Sequence, residues 1–161
     1  MNLEKQIGNA NDKATLPPGL KLDAPRKVRI LIVSENDSLA ERLAKTLSEA
    51  DFIWERARSI TAGCESAKSG RFHVIVTPPL LGDGSWRRLV DIAGHYNSGF
   101  VVILLATTFD LQEWTEALEY GAFDVLDGLH ELPRIAEAVK SAAWAAYLKG
   151  AGQRAEVGGP S

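Results

Sequence analysis

A single cysteine, a single methionine and the absence of any long apolar run define what this chain does without. Cys64 alone excludes an internal disulfide and a multi-cysteine metal site. The longest apolar stretch, Phe100 to Ala106, is far too short to cross a bilayer. Met1 to Gly8 holds no apolar run, so no secretory signal is expected and a cytoplasmic, reducing compartment is. With 18 Lys+Arg against 21 Asp+Glu, the net charge of -3 supplies no basic field, and nucleic-acid binding is not expected. Arg56/Arg58 and Arg87/Arg88 are local pairs that read as solvated faces. His73, His95 and His130 are scattered rather than spaced as ligands, so no metal site is expected. There is no Gly-x-Gly-x-x-Gly or Gly-Lys-Ser/Thr phosphate loop, and no nucleophile beside a histidine.

What is present is 45% hydrophobic and 24% charged, ordinary for one domain with a core. Residues 1–26 carry Pro17-Pro18-Gly19 without apolar periodicity and read as a flexible leader. Residues 150–161 are small and polar and read as a loose tail, leaving 27–149 to fold. There, β-prone runs alternate with helix-period segments. Val28 to Val33, Phe52 to Glu55, Val74 to Val76, Phe100 to Leu105 and Phe123 to Leu126 read as strands. Between them, Leu39, Leu43 and Leu47 mark a helix capped by Asn36 or Asp37, and Thr61 would cap a second, short one carrying Cys64. Ser85 would cap a third helix, with Trp86 and Leu89 inward. Asp110 to Tyr120 and Glu131 to Lys149 supply two more, Pro133 being tolerable in a first turn. Five strands alternating with five helices predict a parallel α/β sheet covered on both faces, with any site beyond the strands' carboxyl ends.

Three segments in order resemble the receiver domain of response regulators: Arg29 to Asp37, Phe72 to Ser85, and Leu118 to Leu126 with its Gly121-Ala122-Phe123-Asp124. The resemblance implies a flavodoxin-like, doubly wound five-stranded sheet over about residues 28–148. It also implies phosphoryl transfer to an aspartate after the third strand, assisted by magnesium on an acidic pair and by a lysine after the fifth strand. Position by position the chain departs from that pattern. Ser34 and Glu35 stand at the acidic pair, Pro78 at the acceptor, Leu105 at the switch Thr/Ser, Gly128 at the lysine and Val125 at the switch aromatic.

No catalytic residue, phosphoacceptor or cofactor is therefore expected, only a degenerate pocket of Ser34, Glu35, Pro78, Leu105 and Gly128. Glu35 and Asp83 are the alternative acceptors to weigh, Asp83 also reading as a turn residue. Receivers of this family dock or dimerise through the fourth helix, fifth strand and fifth helix. Trp114, Tyr120, Val125, Trp144 and Tyr147 would lie there, the competing reading being that the rings pack inward. With no further domain after residue 149, output would pass through a signalling partner or a second copy. Three functions follow: phosphorylation-independent docking, a small-molecule sensor or enzyme on the same scaffold, or a phosphorelay receiver with another acceptor.

Overall fold

The computed structural model describes residues 27–96 and 99–157; the leader expected over residues 1–26 and the last residues, 158–161, lie outside them. In chain order the elements are β1 (Arg29–Val33), α1 (Asp37–Glu49), β2 (Ile53–Ala57), α2 (Ile60–Ala67), β3 (Val74–Thr77), α3 (Arg87–His95), β4 (Val101–Ala106), α4 (Leu111–Tyr120), β5 (Asp124–Asp127) and α5 (Ile135–Val157). The strands form one sheet in the order β2-β1-β3-β4-β5, every pair parallel. This is the expected α/β architecture of five parallel strands and five helices.

Alternation along the central strands divides the interior in two. Leu31, Val33, Ile75, Val102 and Leu104 point to a core with α2, α3 and α4, where Cys64 is a buried filler. Ile30, Ile32, Val74, Val76 and Ile103 point the opposite way, toward α1 and α5. Burial on both faces explains why these strands read as continuous apolar runs rather than alternating ones.

Local caps differ from expectation where a distant group competes. Asn36 caps α1, its side chain accepting the Leu39 N–H at 3.0 Å. Ser59, not Thr61, caps α2 by accepting the Ala62 N–H at 3.0 Å. Ser85 takes part in the start of α3 as expected, its hydroxyl accepting the Arg87 N–H at 3.2 Å, while Leu80–Leu81 and Gly84–Ser85 pair as a small antiparallel hairpin just before the helix. Leu132–Arg134 form a 3-10 turn before α5, consistent with Pro133 lacking an amide hydrogen. The tail expected from residue 150 is instead helical through Val157; the alanine-rich sequence before it carries the helix past Gly150 and Gly152.

Gly121 closes α4 with φ +139°, a conformation that side chains disfavour, and a Cβ placed there would lie 2.9 Å from Val90 Cγ1 on α3. Strain and overpacking act together in Gly121→Ala, which is expected to lower stability by about 1–3 kcal/mol in urea denaturation. An unchanged midpoint would contradict this packing.

Candidate functional site

Parallel connectivity brings the carboxyl ends of β1, β3, β4 and β5 to one edge of the sheet, and a cleft of about 610 Å³ opens there. All five residues of the expected pocket line it: Ser34, Glu35, Pro78, Leu105 and Gly128. Residues separated by nearly a hundred positions are thus gathered into one wall.

At the end of β1, Ser34 is fully buried and its hydroxyl accepts the Asn36 N–H at 3.1 Å. Its carbonyl accepts from Arg56 Nε and Nη2 at 3.1 and 2.9 Å. Arg56 Nη1 and Arg58 Nη1 both reach Asp37 Oδ1, at 2.8 and 2.7 Å. These hydrogen bonds, Arg58's first and then Arg56's, hold the Asp37 carboxyl below its ordinary range. Arg58 is solvated as expected, but Arg56 is not: its side chain is only 16% exposed, a fixed cation against the loop after β1. Sequence reading missed it because its partners lie 19 and 22 positions away.

Glu35 turns its carboxylate onto the Gly82 N–H, with oxygens at 3.1 and 3.2 Å. Pro78 follows β3 with no side-chain oxygen, and the buried Thr77 hydroxyl donates to the Pro78 carbonyl at 2.9 Å. Asp83 does not line the cleft. Its two oxygens accept the Ile60 and Thr61 N–H groups at 2.8 and 2.9 Å, at the start of α2, and these bonds lower its pKa to about 2. On the far wall the Gly128 N–H donates to the Ala106 carbonyl at 3.1 Å. A Cβ at Gly128 would meet only ordinary contacts, 3.6 Å from Leu105 Cβ and Thr107 Cγ2, so the missing side chain is not forced by crowding.

The histidines stay apart. His73 Nδ1 accepts the Arg29 N–H at 2.9 Å, and burial followed by the Arg29 charge pushes its pKa down. His95 stacks edge-on with Tyr96, while His130 Nδ1 lies 2.9 Å from Asp127 Oδ2, a hydrogen bond that raises the His130 pKa. Among the described residues no group of three or more His, Cys, Asp or Glu is placed to hold a metal ion.

The five residues expected on the α4–β5–α5 surface separate into three sets. Trp114 and Trp144 are exposed, and Tyr147 is half-buried with its ring 5.5 Å from Trp144. Val125 is corrected to the core: it is 8% exposed, on the β5 face that packs inward. Tyr120 is also exposed, but it leans toward α3, its hydroxyl 2.7 Å from Asp91 Oδ1, its ring edge-on to buried Trp86 and beneath the Arg87 guanidinium. Leu111 and Leu118 went unnoticed in the sequence, yet with Trp114 they follow a three- and four-residue spacing and form an exposed apolar stripe along α4.

No protein-family model matches the chain. The transcriptional regulatory protein CusR of Escherichia coli is 28% identical over 99 residues, 62% of this chain and 44% of that protein. The chain thus spans less than half the length of the curated relatives it matches. The signal receiver domain of a putative LuxO repressor protein from Vibrio parahaemolyticus superposes with a TM-score of 0.70 at 17% identity, covering 83% of this chain and 98% of that one. FixJ-N gives 0.66 at 24% identity, covering 74% and 96%. The fold is that of response-regulator receiver domains.

Because the folded pKa of Asp83 lies below its ordinary value, the stabilisation it gives is complete above about pH 4 and lost as pH falls toward 2. Thermal melts between pH 5 and 2 are expected to show this decline, and Asp83→Asn to flatten it. Parallel curves for the two proteins would show that Asp83 is not the titrating cap.

Proposed function

We propose that this chain is a receiver-like signalling module, not an enzyme, that acts by phosphorylation-independent protein–protein docking, onto another signalling protein or a second copy of itself. The observation that carries the reading is Pro78 at the end of β3, where a phosphorelay needs a carboxylate oxygen to attack phosphorus. The neighbouring groups support it. Glu35 is bonded to Gly82, and a lone carboxylate is a poor magnesium site. Gly128 brings no ammonium to balance a phosphoryl charge. Both oxygens of Asp83 are taken up at the start of α2, which speaks against a displaced acceptor.

The docking surface is supported by the α4 stripe. Leu111 is 74% exposed and Trp114 39%, and exposed aromatic anchors are the residues most often dominant in binding. Trp144 and Leu148 add a second apolar pair on α5. A cytoplasmic setting fits this role, and among the described residues no helix is long and apolar enough to cross a membrane.

Incubation with magnesium and acetyl phosphate is expected to add no mass, and beryllofluoride to leave the amide spectrum unchanged. A stoichiometric, acid-labile phosphate would overturn the reading. In capture experiments from the native host, Trp114→Ala is expected to recover about tenfold less of any specific partner than the unaltered chain. Equal recovery would remove the α4 surface from the proposal.

A further inference from the structure

We infer that the cleft at the carboxyl ends of β1, β3, β4 and β5 binds an amphipathic organic anion, a ring-sized apolar body bearing one carboxylate or sulfonate. Its volume of about 610 Å³ falls within the range usual for small-molecule sites, roughly 300–1,000 Å³. Pro78, Leu80, Leu105, Phe109 and Leu129 give it apolar walls that face the same space. Leu80 and Leu129 are 72% and 61% exposed. A single exposed leucine is unremarkable, but two bordering one concavity form a surface that an apolar ligand would cover.

Charge selects the sign of the ligand. Two ionic side chains line the cleft, Glu35 from the β1–α1 loop and Arg42 from α1. The Glu35 carboxylate is bonded to the Gly82 N–H, whereas among the described residues Arg42 forms no ion pair or side-chain hydrogen bond. An anionic head against Arg42, with the body laid between Leu80 and Leu129, satisfies both features. The site has a route to the docking surface, since Ala106, Thr107 and Phe109 line this cleft and also the shallow hollow beside Trp114. Binding is read directly, so its success or failure is independent of the docking reading.

The test uses a matched pair of fluorescent probes on the full chain: 1-anilinonaphthalene-8-sulfonate and N-phenyl-1-naphthylamine, which differ by the sulfonate. Saturable one-to-one binding of the sulfonate is expected, with Arg42→Ala weakening it about fivefold and leaving the neutral probe within about twofold. Leu129→Asp is expected to weaken both about tenfold, and Trp114→Ala neither. Gly128→Leu, which puts a bulky side chain on the cleft wall without backbone strain, should weaken binding of both probes about tenfold while the melting temperature holds. Unsaturable binding, indifference to Leu129→Asp or Gly128→Leu, or a loss on Trp114→Ala would overturn the site. Equal response of both probes to Arg42→Ala would overturn the anion.

Discussion

Burial of the sheet on both faces is the constraint from which the rest follows. A parallel strand cannot return by a tight turn, so each connection crosses a face as a helix, and all five strands end along the same edge. The loops leaving β1, β3, β4 and β5 must therefore meet, whatever residues they carry. The scaffold delivers Ser34, Glu35, Pro78, Leu105 and Gly128 to one wall because of backbone topology.

A receiver site concentrates negative charge and balances it with a bound cation and an ammonium. At this wall and beside it the carboxylates present are hydrogen-bonded within the chain. Asp37 is held by two guanidiniums, Asp83 by two backbone amides, and Glu35 by one. Arg56 supplies a cation from the chain itself, bonded to the Ser34 carbonyl at the strand end. What faces the cleft is a mixture of hydrocarbon, hydroxyl and amide groups, with Arg42 on α1 lining it as well.

The order and number of strands and helices were legible because the signals are local: apolar runs for strands buried on both sides, helical spacing for Leu39, Leu43 and Leu47. Membership of the pocket was legible too, since it depends only on which residue leaves each strand. Caps were legible in part, at Asn36 and Ser85, and ion pairs were not. Ser59 rather than Thr61 at the start of α2, the Asp83 carboxylate on the same helix, and the Arg56–Ser34 contact depend on partners up to 23 positions distant. Val125 was misplaced for a related reason. The choice between facing a neighbouring helix and facing solvent turns on how elements rotate against each other, which no single segment encodes.

The uneven anchoring of α4 has a mechanical consequence. Ala117 is its one buried residue, and its firm attachments are at the carboxyl end, where Tyr120 bonds Asp91 and Gly121 abuts Val90. The amino-terminal end rests on the Asp110 capping box, with Leu111 in solvent. The helix is therefore a lever with its fulcrum at α3, and its free arm is the part that swings at least energetic cost.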